Sequence, residues 1–388
     1  MTNMTRREAI KFAGAAGIGV ACGEAIPAVA AGTARPVGVL RIGLLADPHL
    51  STFWETGPQE NRTPRIAKNL IAFVERMHEF KADFVVAIGD YVTPRGRKHG
   101  NTPEQYAGFK EDLGVFWPIL KAVPCPAYVV AGNHDVGWIR GGDEKVTTAE
   151  LIAKGKTGGH ALCKDEWCQI LGMPGRYYAF DAGDFRCLVL DGNNTQDTDA
   201  DNAKDGLRGA YWIDQSQLEW IRLELSAHRD KPKIIFSHEE LHHTDHFTGS
   251  GQGGWTPLPP HYKDGSYIGN GWQVRELFEQ DGKVAVVFHG HYHKNRWTVY
   301  GGTHYITLDD LGTLRWLWAD PAPEPNMPHW AEVTISGDRM HIAGHGNQMG
   351  FDLPTLPADA RPVRPPKAIY TKAIHERELY QKLRLSKG

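Results

Sequence analysis

Residues 37–49 read VGVLRIGLLADPH, an aliphatic run that stops on Asp47 and His49. A strand with one face in water alternates apolar and polar residues, whereas an unbroken apolar run belongs to a strand covered on both faces, as in α/β folds. The pattern recurs in FVVAIGD (84–90), AYVVAGNHD (127–135), FRCLVLDGN (185–193), KIIFSHE (233–239) and VAVVFHGHYH (284–293). Helical patterns separate most of these runs. The first has Thr63 as its cap, Pro64 in its first turn and Ile66, Leu70, Phe73, Val74 and Met77 along one face. Another runs from Asp214 to about His228, with Asp214 as cap, Gln217 three residues later and Leu218, Ile221 and Leu225 on the buried side.

Beyond residue 295 the helical period gives way to hairpin-like runs: WTVY, GTHYITL, LRWLWA, AEVTIS and, after a Gly337-Asp338 turn, RMHIAG. These suggest a second sheet. The expected fold class is therefore α/β: a four-layer α/β-β/α sandwich of two mixed β-sheets flanked by helices. Residues 351–388 read as a tail that is Pro-rich through Pro366 and helical from Ile369 to Leu385.

The chain has 388 residues, 43 Lys and Arg against 46 Asp and Glu, and a net charge of -3. That balance asks for neither nucleic acid nor an acidic lipid surface, and no stable nucleic-acid partner is expected. No apolar run approaches the ~20 residues of a membrane-spanning helix, so no transmembrane segment is expected. Glycine accounts for 43 residues, more than its usual share of about 7%, which points to many loops around the core. The 19 histidines stand out because metal ligation and proton transfer are that side chain's special uses.

Residues 1–30 read as an export signal: Arg6-Arg7, a Gly/Ala-rich apolar stretch from Phe12 to Cys22, and Ala28-Val29-Ala30 as a cleavage site. The run from Thr5 to Lys11 resembles the twin-arginine translocation box, although Ala9 and Ile10 stand where Phe and Leu are usual. The resemblance implies the Tat export machinery as a partner and a periplasmic or secreted product. Acylation of Cys22 is the rival processing route, with Gly19 unfavourable to it. Cleavage leaves Cys125, Cys163, Cys168 and Cys187, an even set in which Cys163 and Cys168 could close a local disulfide.

The chemistry lies at the strand ends. Side chains two apart on extended backbone point the same way, so Asp47/His49 and His291/His293 can each present a pair to one spot. In an open α/β sheet the carboxyl ends of the strands form the ligand crevice. One metal can take Asp47, His49, Asp90 and His293; a second can take Asp90, Asn133, His238 and His291, with Asp90 bridging. No thiolate is in the set, so Mn, Fe, Zn or Co suit it. Two such ions would outweigh the two carboxylates and leave a cationic centre for a phosphate.

In this order D-x-H, G-D, G-N-H-D, H and G-H-x-H resemble the calcineurin-like metallophosphoesterase family, block for block over about residues 40–295. The resemblance implies a metallophosphoesterase domain over residues 31–350. It further implies an exported enzyme that binds two divalent or trivalent metal ions. Such an enzyme hydrolyses phosphodiester or phosphomonoester bonds of small organic phosphates by attack of a metal-bridging hydroxide. By the same resemblance His134 is no ligand but steadies the phosphoryl oxygens or protonates the leaving group. Asp135 either orients His134 or caps the next turn. His49 and Thr93 separate the chain from purple acid phosphatases, which have Gly and a Tyr ligand at those places, and the retained D-x-H favours diesters.

Two loops offer substrate contacts. The long segment after His238 carries Trp255 and Tyr262, which could stack on a base or an apolar leaving group. Arg95, with Arg97 and Lys98, could hold a second phosphate. Asp197, Asp199 and Asp201 lack the Gly and distal Glu of an EF-hand and read as an acidic loop. Asp191 and Asn193 read as supports behind the metal ligands. The alternatives are a metal-dependent nuclease and a non-catalytic phosphate-binding module on the same fold.

Overall fold

The protein is described by a computed structural model, which covers residues 38–50, 62–92, 103–136, 164–195, 211–241, 246–248, 255–256, 268, 270–311, 328–346 and 348–355. The expected leader, Arg95, Tyr262, the acidic loop, LRWLWA and the terminal helix lie outside the described residues.

One sheet has six strands in the order β16-β15-β14-β1-β2-β3. Its parallel half is β1 (Val39–Leu45), β2 (Phe84–Ile88) and β3 (Ala127–Val130), connected through helices α1 (Arg62–Phe80) and α2 (Pro103–Leu120). Its antiparallel half is β14 (Trp330–Ser336), β15 (Arg339–His345) and β16 (Phe351–Pro354). The other sheet has eight strands. A parallel centre of β5 (Phe185–Val189), β8 (Lys233–Phe236), β11 (Val284–His289) and β13 (Thr303–Thr307) is extended by antiparallel β4 (Tyr178–Ala182) on one side. On the other side lie β12 (Arg296–Tyr300), β9 (His246–Thr248) and β10 (Trp255–Thr256).

Residue alternation along the buried strands builds the layers. Ile42 and Leu44 of β1, Phe84, Val86 and Ile88 of β2, and Ile234 and Phe236 of β8 face a common core between the sheets. The intervening Val85, Ala87 and Leu45 instead face α1 and α2, together with Phe73 and Met77 of α1. On the far side Ile235 and Val287 meet Ile221 and Leu225 of α4 (Gln215–Ala227) and Val274 and Phe278 of α5 (Gly271–Asp281). This is the expected helix–sheet–sheet–helix sandwich. Asp214 caps α4 as anticipated, its side chain accepting the Gln217 N–H. Among the described residues no helix is long and apolar enough to cross a membrane.

Two expectations need correction. The C-terminal hairpins do not make a second sheet by themselves: the runs at 39–45, 84–88 and 127–130 belong to one sheet and those at 185–189, 233–236 and 284–289 to the other. The late strands are divided between both. The tail boundary also moves, because residues 351–354 pair with β15 as β16. Before Phe185 the structure adds helix α3 (Lys164–Leu171) and strand β4, which forms a hairpin with β5. Cys168 and Cys187 are free thiols, each buried in a hydrophobic core, and Cys163 lies outside the described residues.

Candidate metal centre

The ligand residues sit where the parallel ladder runs past the ends of its strands. After β1 and β2 the chain continues hydrogen bonding: Asp47 N–H donates to the Gly89 carbonyl (3.1 Å), His49 N–H to Asp90 (2.9 Å) and Leu50 N–H to Tyr91 (2.8 Å). This registers the D-x-H and G-D segments against each other. The turn after β11 is tied in by the His291 N–H, which donates to the Asp47 carboxylate at 2.9 and 3.1 Å. The His134 N–H donates to Asp90 Oδ1 at 2.8 Å.

Two donor groups result, each with ligand atoms within 4.8 Å of one another: Asp47, His49, Asp90 and His293, and Asp90, His238 and His291. In the first, His293 Nε2 lies 3.1 Å from Asp47 Oδ1 and 3.0 Å from His49 Nε2, and His49 Nε2 lies 3.5 Å from Asp90 Oδ2. In the second, His238 Nε2 is 3.3 Å from Asp90 Oδ1, and Asn133 Oδ1 lies 3.2 Å from His238 Nε2 and 2.8 Å from His291 Nδ1. All seven residues read from the strand ends are thus brought together, and Asp90 belongs to both groups. His238 Nδ1 sits 2.8 Å from the Ile88 carbonyl, a contact that holds the proton on that nitrogen and turns Nε2 towards the donors.

Backbone strain marks the same spot. Asp47, His49, Asp90, His291 and His293 all adopt φ between 48° and 69°, and the only other non-glycine residue described with positive φ is Lys81. Each such residue costs about 1–3 kcal/mol and persists only where its surroundings over-determine it, which is characteristic of functional sites. The motif glycines exist for room: a Cβ on Gly132 would lie 2.3 Å from both Asp90 N and Oδ1, and one on Gly290 2.6 Å from Asp47 Oδ2.

The side chains polarise one another strongly. Burial works against charge on Asp90, but His238 and His134 outweigh it and hold the carboxyl well below the usual range. His238 is opposed by burial and lifted well above its ordinary value by Asp90 and Asp47. His293, likewise opposed by burial, is raised to about 9 by Asp47 and then Asp310. Burial and the neighbouring His238 push His291 well down.

Residues 40–295 match the calcineurin-like phosphoesterase family. The chain belongs to that family. It is a metal-dependent phosphoric ester hydrolase, and the family together with the paired donor groups points to two metal ions. No curated protein matches the chain. Among solved structures, a dimetal phosphatase from Danio rerio is 16% identical over 82% of this chain and 99% of its own, with a TM-score of 0.56. PhoD is 11% identical over 90% of this chain and 78% of its own, with a TM-score of 0.50. At these identities the likeness establishes the fold. The metallophosphoesterase donor set also fits metal on chemical grounds: carboxylate, imidazole and amide atoms converge with no thiolate, which suits the borderline-to-hard ions named above.

The Asp135 carboxylate is turned towards backbone N–H groups. Its Oδ2 accepts the Asp90 N–H (2.7 Å) and the Gly132 N–H (2.9 Å), and its Oδ1 the Tyr91 N–H (2.9 Å). It therefore clamps the loop that carries the shared ligand. His134 keeps 31% of its side chain exposed, with Nε2 3.9 Å from Asp90 Oδ2 and its ring edge-on to His49 at 4.8 Å. Asp191 and Asn193 lie one step behind the ligand loops, against backbone and basic side chains. Asn193 Nδ2 donates to the Ala131 carbonyl just before Gly132, and Asp191 Oδ2 accepts from Lys164 (2.5 Å) and Arg176 (3.0 Å). Trp255 lies on β10, at the edge of the eight-stranded sheet and four strands from β11.

Sequence reading missed Tyr211, whose ring stands edge-on to His291 at 5.2 Å, and Glu239, whose buried carboxyl is raised to about 8, burial being the main cause. Glu239 follows His238 directly, and that adjacency was its only local signal.

Proposed function

We propose that the chain is an exported two-metal phosphoesterase acting on small organic phosphates, with diesters among its substrates. The observation that carries this reading is the sharing of Asp90 between two donor groups, because one carboxylate facing both is what a pair of adjacent ions requires. Asp47, His49, Asp90 and His293 would hold one ion, and Asp90, Asn133, His238 and His291 the other. Ions held there would supply positive charge to the phosphoryl oxygens and would lower the pKa of a bound water. His134 is a neighbouring imidazole outside both groups, and with part of its ring exposed it can reach a bound phosphoryl group. It acts there as a hydrogen-bond donor to developing charge or as the acid for the departing oxygen. Asp135 fixes the backbone of Asp90, so the bridging carboxylate is presented in one orientation.

Export is inferred from Arg6-Arg7, the apolar stretch after them and Ala28-Val29-Ala30. Replacing both arginines by lysine should retain the protein in the cytoplasm; unchanged export would remove this part of the reading. For the activity, the test is metal analysis of the purified protein followed by bis(p-nitrophenyl) phosphate, p-nitrophenyl phosphate and nucleotide substrates. Asp90→Ala should lose metal at both positions and lower turnover by more than about 100-fold. A variant that kept both its metal and its rate would overturn the assignment of Asp90.

A further inference from the structure

We propose that Asp310 is a positioning residue for the ligand His293, and this rests on the two-metal reading above. The imidazole of His293 has two sides. Its Nε2 faces Asp47 Oδ1 at 3.1 Å and His49 Nε2 at 3.0 Å, inside the first donor group. Its Nδ1 faces the opposite way, 3.9 Å from Asp310 Oδ2. A carboxylate behind the ring keeps the proton on Nδ1 and leaves the Nε2 lone pair for a cation, while raising its basicity.

Asp310 is fully buried, and the turn that carries it is fastened on both sides. Leu311 N–H donates to the Ala46 carbonyl (2.9 Å), directly before Asp47, and Asn69 Nδ2 donates to the Leu311 carbonyl (3.2 Å). On the other side Asp309 N–H donates to Gln348 Oε1 (2.9 Å), and Asn295 Nδ2 to Asp309 Oδ2 (3.2 Å). The carboxylate is thus delivered by the end of β13 and braced from the C-terminal strands. It lies beyond residues 40–295, the part of the chain that matches the family. The late hairpins therefore contribute to the metal centre as well as covering the sheets.

The test compares the full-length protein, Asp310→Asn and Asp310→Ala, with Asp338→Asn, an exposed carboxylate in the turn between β14 and β15, as a control. Each is stripped with chelator and titrated with Zn²⁺ against a competing fluorescent chelator, with the thermal midpoint recorded alongside. Asp310→Asn should weaken one of the two binding steps by about 10-fold and Asp310→Ala by up to about 100-fold. The second step and the thermal midpoint of the stripped protein should stay close to those of the wild type, and Asp338→Asn should leave both steps unchanged. Two unaltered binding steps in both Asp310 variants would overturn the assignment. So would equal weakening of both steps with a lowered midpoint, since that marks a merely structural role, or an equal effect of Asp338→Asn, since that marks a general effect of lost charge. A wild-type protein that takes up fewer than two ions would overturn the two-metal reading and this inference together.

Discussion

Asp47, His49, Asp90, His291 and His293 hold left-handed backbone, where any side chain with a Cβ is disfavoured. The strain belongs to the folded protein whether or not a ligand side chain is present, so it can be measured by comparing two truncations at one position. With chelator present, His49→Gly should be more stable than His49→Ala by roughly 1 kcal/mol in urea unfolding, because only the alanine retains the Cβ clash. Equal stabilities would mean that the backbone relaxes on truncation. Protonation of the same cluster makes a second prediction. His238 is raised well above its ordinary value and His293 to about 9, so at neutral pH a cation must displace a proton from each. Zn²⁺ uptake should release protons at pH 7, and apparent affinity should rise with pH until about 9. Calorimetry in buffers of different ionisation enthalpy checks this, and an uptake heat independent of buffer would contradict it.

At the scale of the elements, the loops after the parallel strands are held by backbone contacts too close for any added atom. Gly132 starts the turn after β3, and a Cβ there would overlap both the backbone and the carboxylate of Asp90. Displacement of a ligand by about 1 Å can cost about 100-fold in rate. Gly132→Ala should therefore lose about that factor in turnover and weaken metal binding in both groups, since Asp90 serves both. Full activity would show that the loop yields without moving Asp90. The element order at this scale was readable from the sequence where a run is buried on both faces, as in β1, β2, β8 and β11. It was unreadable for β4, whose residues Tyr178–Ala182 are only half-buried and carry no continuous apolar run; α3 does bury Trp167, Cys168 and Leu171 along one face, but it is only eight residues long and offers that pattern barely two turns.

Across the whole molecule, a buried ion cluster joins the outer helices to the eight-stranded sheet. Lys164 opens α3, Arg176 lies before β4, Asp191 ends β5 and Asp214 caps α4; Arg176 bonds both Asp191 and Asp214. Burial raises the Asp191 carboxyl, but Lys164 and Arg176 outweigh it and hold it below its usual value. A depressed carboxylate contributes stability that is full above its unfolded pKa of about 3.9 and is lost as pH falls through the folded value. Asp191→Asn leaves Lys164 and Arg176 without their carboxylate and should cost about 3–5 kcal/mol at pH 7. The difference from wild type should shrink below about pH 4. A gap that stays constant in acid would show that packing, and not charge, is what the variant loses.

The amino-acid sequence by itself determined the buried strands and the donors at their ends, because both leave local marks: an unbroken apolar run, a two-residue spacing, a glycine before a ligand. Only the tertiary structure decided which strands share a sheet, since consecutive parallel strands look alike whichever layer they enter. It also decided what the carboxylates do. Asp135 meets the backbone of Asp90 45 residues away in the chain, and Asp310 sits behind His293 through a turn pinned to Ala46 and Gln348. Such pairings arise from the crossing of distant segments, and a side chain's partner across a fold is not encoded in its sequence neighbours.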